Sequence, residues 1–164
     1  MQAQTEITIR LADETATQAL GSRLAALLPD GAAVALNGPL GAGKTRLVQG
    51  LAAAVGIDPE TVLSPTFTLV HQYPFARGGE PRTLFHLDAY RVRGLEEFWE
   101  LGVEEMFDSP NWTVIEWAER VAAALPEEYL EITLAVTSAT ERTATIRAVG
   151  AKWDEALKQI RRRG

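Results

Sequence analysis

A chain of 164 residues, 46% of them hydrophobic, is long enough to bury a core and short enough to form one domain over residues 1–164. Its net charge of −6 excludes the broad basic surface that sequence-independent nucleic-acid binding needs, so direct DNA binding is not expected. The absence of cysteine excludes disulfides, thiolate metal sites and thiol nucleophiles.

Met1–Glu6 lacks the basic and apolar blocks of a signal peptide, and no apolar stretch approaches membrane-spanning length. A cytoplasmic protein with no membrane contact is expected. Thr5–Leu11 alternates apolar and polar residues, as a half-buried strand does. Asp13 is a good N-cap for a helix running to about Leu28, with Leu20, Leu24 and Leu28 on one face. Pro29-Asp30-Gly31 makes a turn. Val34-Ala35-Leu36 then reads as a short buried strand ending at Asn37-Gly38.

The next eight residues, Gly38-Pro39-Leu40-Gly41-Ala42-Gly43-Lys44-Thr45, form a complete G-x-x-x-x-G-K-T phosphate loop. Its glycines let the backbone curl so that N–H groups point at phosphate oxygens. Lys44 adds a mobile positive charge for the β- and γ-phosphates, and Thr45 a hydroxyl for Mg²⁺. Leu47, Val48, Leu51, Ala52 and Val55 recur at helical spacing until Gly56 stops the helix. The order strand, loop, helix presents the helix N-terminus to an anion.

Ser64-Pro65-Thr66-Phe67-Thr68 follows, a segment of the kind that brings a threonine to a γ-phosphate and Mg²⁺ in nucleotide switches, although the same residues also suit a plain turn. Thr68–Tyr73 alternates as a strand, Ala76–Pro81 reads as a hairpin-like loop, and Leu84–Leu87 is a buried strand ending at Asp88. Residues 94–107 predict one helix. Trp112–Ile115 is another apolar strand, ending at Glu116, and Ala118–Leu125 a short helix closed by Pro126. Tyr129–Val136 and Thr143–Val149 predict a β-hairpin, and Lys152–Arg163 a terminal amphipathic helix. The sum is an α/β fold resembling the P-loop nucleotide hydrolases, with a parallel core, antiparallel additions and flanking helices.

Asp88 and Glu116 each close an apolar strand, where ligands of open α/β sheets bind. A carboxylate there holds Mg²⁺ or orients an attacking water, and the pattern leaves the division of labour between the two open; Glu116 is also placed to cap the helix starting near Trp117. His86, inside an apolar strand, reads as a structural residue rather than a base. Trp99, Trp112 and Trp153 suit core or interface packing, and Trp117 suits the core or the nucleotide's surroundings. Arg161-Arg162-Arg163 reads first as a solvated helix end, with a partner or RNA contact as the alternative. The chain has no Asn-Lys-x-Asp guanine reader, no Leu-Ser-Gly-Gly-Gln transporter signature and no arginine-rich lid. Elimination therefore leaves ATP as the nucleotide.

Taken together, these motifs resemble the bacterial TsaE (YjeE) family, small ATPases of tRNA threonylcarbamoyladenosine synthesis. The resemblance rests on Asp13-Glu14-Thr15, Leu40–Thr45, Ser64–Val70, His86-Leu87-Asp88-Ala89-Tyr90-Arg91 and Glu116-Trp117-Ala118-Glu119-Arg120, in that order along most of the chain. Pro39 departs from it, standing where the family usually has an acidic residue. The resemblance implies ATP and Mg²⁺ as cofactors, held by Gly38, Gly41, Ala42, Gly43, Lys44 and Thr45. Thr45 and Glu116 would ligate the metal, Asp88 would assist metal or water, and Thr66 would sense the γ-phosphate. The adenine would lie between Asp13-Glu14 and Thr140. The implied partner is a TsaB–TsaD heterodimer, with tRNA reached only indirectly and ATP hydrolysis supporting repeated cycles of modification. The competing reading, a P-loop small-molecule kinase, requires an acceptor pocket and a lid arginine that the sequence does not display.

Overall fold

A computed structural model describes residues 6–163, with side chains to residue 162. Thr5, expected in the first strand, and the side chain of Arg163 lie outside the described residues. The strands are β1 (Glu6–Leu11), β2 (Ala33–Asn37), β3 (Val70–Arg77), β4 (Glu80–Asp88), β5 (Trp112–Glu116), β6 (Tyr129–Val136) and β7 (Arg142–Val149). They form one sheet in the order β1-β7-β6-β2-β5-β4-β3. β6, β2, β5 and β4 run parallel to their neighbours among themselves, and the β6–β7, β7–β1 and β4–β3 pairings are antiparallel. The sequence-based fold class is the observed one.

Helices cover both faces because successive strand residues point to opposite sides. Val34, Leu36, Trp112 and Val114 pack with α1 (Glu14–Ala25), α2 (Lys44–Ala54) and α5 (Asp154–Arg163). Ala35, Leu87 and Ile115 face the other way, onto α3 (Leu95–Glu100), α4 (Val103–Asp108) and the 3₁₀ segment Ala118–Ala124. Leu47, Val48 and Leu51 of α2 are all fully buried, each stabilising by roughly 1.5–3 kcal/mol. α1 and α2 touch backbone to backbone. A Cβ on Gly50 would lie 1.9 Å from the Gln18 carbonyl oxygen, and one on Gly21 would lie 2.1 Å from that of Leu47. This contact fixes the helix whose first two residues are Lys44 and Thr45.

Local departures from the expected elements have local causes. The helix expected to reach Leu28 ends at Ala25, and Leu27 and Leu28 both donate to the Leu24 carbonyl in a closing turn. The single helix expected over 94–107 is two, because Gly102 takes φ +84° and caps the second. The loop expected over Ala76–Pro81 shrinks to Gly78-Gly79, both at positive φ, with Arg77 paired to Glu80. β3 tolerates Pro74 because it is the edge strand. Residues 118–124 form 3₁₀ turns kinked at Val121 rather than a regular helix.

Candidate functional site

The parallel register carries the two acidic strand ends to one place. Leu36 pairs with Glu116, and Glu116 with Asp88, so the carboxylates stand on adjacent strands beside the point where the chain leaves β2 for the phosphate loop. By alternation Leu84, His86 and Asp88 share the α2 side of β4. The loop enters α2 through Gly43, whose φ of +101° lets it serve as N-cap without a side chain. Between this loop, Ser64–Thr66 and the strand ends lies a cleft of about 550 Å³. Lys44, Thr45, Thr66, Asp88, Glu116 and Trp117 all line it.

Lys44 is folded back onto its own loop. Its ammonium donates to the carbonyls of Gly38 (2.6 Å) and Pro39 (3.0 Å) and lies 4.1 Å from the centre of the Trp117 ring. Burial holds its pKa below the ordinary lysine value, and the charges of Glu116, Glu119 and Asp88 oppose that shift. The Thr45 hydroxyl donates to Glu116, 3.2 Å from Oε1 and 3.1 Å from Oε2. Asp88 is engaged on both oxygens: Oδ1 accepts from the Tyr90 N–H (2.8 Å), and Oδ2 from the hydroxyls of Ser64 (2.9 Å) and, weakly, Thr66 (3.5 Å). The switch-like segment is thus tied to the acidic strand end, and the Gln49 amide anchors its start by donating to the Val62 carbonyl at 3.0 Å.

Both carboxylates are almost wholly buried, so Glu116 does not cap the following helix; Trp117 turns the chain with φ +58°, and Asn37 Oδ1 accepts from the Glu119 N–H instead. His86, read from sequence as structural rather than as a base, does not line the cleft but supports one of its carboxylates from behind. It is fully buried and its Nε2 lies 2.5 Å from Glu116 Oε2. The period-two alternation that puts His86 and Asp88 on one face of β4 was the available signal. Tyr90 packs on Trp117 with ring centres 4.9 Å apart. Trp112 and Trp153 are core residues, and Trp99 is partly exposed.

At the other end of the loop, Glu14, Gly41, Ala42, Gly43, Arg46 and Thr140 border a narrow groove. Glu14 pairs with Arg46 at 3.1 Å beside it. Asp13, expected beside the base together with Glu14, caps α1 at the residue before Glu14: its Oδ1 accepts from the Ala16 N–H at 2.8 Å. Arg142, which no sequence pattern singles out, reaches the loop and donates to the Gly41 carbonyl at 3.1 Å.

The donor set of Thr45, Glu116 and Asp88 is entirely hard oxygen and suits Mg²⁺. Among the described residues no group of three or more His, Cys, Asp or Glu forms a metal cage. Mg²⁺ seldom uses one, because phosphates and waters complete its shell around one or two carboxylates.

A mixed sheet with a parallel centre, covered by helices and carrying a phosphate loop between β2 and α2, defines a P-loop nucleotide-hydrolase-like protein. The crystal structure of Bacillus subtilis YdiB superposes with a TM-score of 0.81 at 29% identity, covering 99% of both chains. The family profile described as threonylcarbamoyl adenosine biosynthesis protein TsaE matches residues 11–144, and the chain belongs to the TsaE family. Relatives named tRNA threonylcarbamoyladenosine biosynthesis protein TsaE include that of Treponema pallidum, 42% identical over 77% of this chain and 89% of its own. That of Bacillus subtilis is 35% identical over 89% and 88%, and that of Nostoc 40% over 84% and 83%.

Proposed function

We propose that the chain, acting as a single domain over residues 1–164, binds and hydrolyses Mg²⁺–ATP and thereby supports repeated turnover of a TsaB–TsaD complex in tRNA threonylcarbamoyladenosine synthesis. The observation that carries this reading is the contact of the Thr45 hydroxyl with both Glu116 oxygens at the mouth of the phosphate loop. It puts two Mg²⁺-type ligands beside the lysine that such a loop uses for phosphate.

On ATP binding, Lys44 exchanges the Gly38 and Pro39 carbonyls for β- and γ-phosphate oxygens. The N–H groups of Gly41–Thr45 and the N-terminus of α2 receive the phosphate charge. Thr45 and Glu116 would hold the metal, which when bound would supply positive charge to offset that of the phosphates. Asp88 assists metal or water, released for this when Ser64 and Thr66 let go of its Oδ2. Thr66 would then sense the γ-phosphate, and the adenine would lie between Asp13-Glu14 and Thr140, where Glu14 and Thr140 border a groove. Contact is made with the partner enzymes rather than with tRNA, in agreement with the net charge of −6. The site of action is the cytoplasm; among the described residues no helix is long and apolar enough to cross a membrane.

The test is a reconstituted modification assay that counts modified tRNAs per TsaB–TsaD pair. With this protein and ATP the count exceeds one per pair, and with Lys44→Ala it falls to the level seen when the protein is omitted. An undiminished count with Lys44→Ala would refute the proposal.

A further inference from the structure

The His86–Glu116 contact joins β4 to the end of β5 in a region shielded from water. His86 Nδ1 has no hydrogen-bond partner among the described residues. This fixes which nitrogen donates. A buried N–H without an acceptor is rarer and costlier than an unused acceptor lone pair. The proton therefore sits on Nε2 and is donated to Glu116 Oε2, leaving Nδ1 bare.

Glu116 has two side-chain hydrogen-bond partners among the described residues, His86 and Thr45. A metal would take a lone pair of the Thr45 oxygen and reorient its O–H, whereas the buried His86 N–H keeps a single acceptor throughout. We propose that His86 is a positioning residue: its N–H holds Glu116 Oε2 in place whether or not Thr45 serves the metal, leaving Oε1 turned toward that ion. This rests on the metal-ligand role proposed above for Glu116. Lys44 lines the same cleft and its charge attracts that of Glu116, so a restraint on the carboxylate keeps the two apart. An unrestrained Glu116 would swing toward Lys44, and the resulting ion pair would withhold both groups from Mg²⁺–ATP. Nδ1 faces no competing acceptor, so the ring has one hydrogen-bonded orientation and restrains the carboxylate firmly.

The test is calorimetric titration of a non-hydrolysable ATP analogue, with Mg²⁺ and with EDTA, into the wild type and His86→Met, His86→Gln and Lys44→Ala variants. Methionine fills the space without a donor, whereas glutamine keeps an N–H at the position of Nε2. His86→Met loses about 10- to 100-fold of affinity in Mg²⁺, the usual consequence of removing a hydrogen bond that orients a metal ligand. Its affinity in EDTA stays at the wild-type level, and His86→Gln recovers most of the loss. If His86→Met does not fold, His86→Asn, whose amide is too short to reach Glu116, shows the same Mg²⁺-specific loss. The proposal is overturned if the donor-free variant binds as the wild type does in Mg²⁺, or if it and His86→Gln weaken equally with and without the metal. Lys44→Ala separates this from the functional reading. If it binds as tightly as wild type, the phosphate site itself is wrong; if it alone loses binding, only the role of His86 fails.

Discussion

Replacing Lys44 with alanine is the sharpest perturbation of the phosphate loop, and the structure constrains its size. In the free protein the ammonium is already paid for, with carbonyl contacts at 2.6 and 3.0 Å and the Trp117 ring at 4.1 Å. Binding ATP exchanges those contacts rather than creating new ones in empty space. Both sets of bonds are charge-assisted, since the ammonium is ionised in each; what the exchange adds is attraction to a full phosphate charge, about 1 kcal/mol at 4 Å in water and about 4 kcal/mol in the effective dielectric near a protein surface. That range of about 1–4 kcal/mol corresponds to roughly 5- to 1,000-fold in Kd. The loop does not need the side chain for its shape, because the Ala42 N–H donates to the Pro39 carbonyl at 3.1 Å. Calorimetric titration of Mg²⁺–ATP into both proteins measures the difference, and circular dichroism checks that the fold is kept. A folded variant binding within about threefold of wild type, well under the 1.4 kcal/mol of a tenfold change, would refute the reasoning.

Glu116→Ala and Asp88→Ala should each retain ATP binding better than hydrolysis, as measured by parallel titration and phosphate release; unchanged turnover in both would remove them from the chemistry. Asp13→Ala should lower stability by about 1 kcal/mol through loss of the α1 cap, and an unchanged denaturation midpoint would contradict that cap. Gly50→Ala forces a Cβ against the Gln18 backbone; overpacking of about 1–3 kcal/mol, offset by alanine's helix preference of about 1 kcal/mol, should lower Tm in a thermal melt, and a raised Tm would contradict the close α1–α2 contact. Burial lowers the Lys44 pKa below 10.5, so the unfolded chain binds more protons between the folded value and 10.5, and stability contributed at this position rises with pH across that window. Wild type should therefore gain stability relative to Lys44→Met as pH is raised toward 10.5 in paired melts, and ATP affinity should fall there as the charge is lost.

The parallel centre of the sheet was legible because β2, β5 and the Leu84–Leu87 half of β4 are short, largely apolar runs, each ending in a residue that changes the pattern: Asn37, Glu116 and Asp88. Buried strands must read that way. The same endings disclosed which residues meet at the cleft, since strand C-termini of a parallel sheet converge. What stayed hidden depends on tertiary neighbours. His86 looks like any buried histidine until the register sets it under Glu116. Arg142 reaches Gly41 across 101 positions of sequence, and no local pattern encodes such a contact. The break at Gly102 and the tight Gly78-Gly79 turn were present as glycines, but hydrophobic periodicity continues past a single glycine, and the polar residues around the hairpin resemble a longer loop.

The most direct test of the functional account is ATP hydrolysis by the purified protein with Mg²⁺, alone and with a TsaB–TsaD pair. The account predicts marked stimulation by the pair, abolished in Lys44→Ala. Equal turnover with and without the pair would contradict it, and would direct attention to a phosphoryl acceptor other than water.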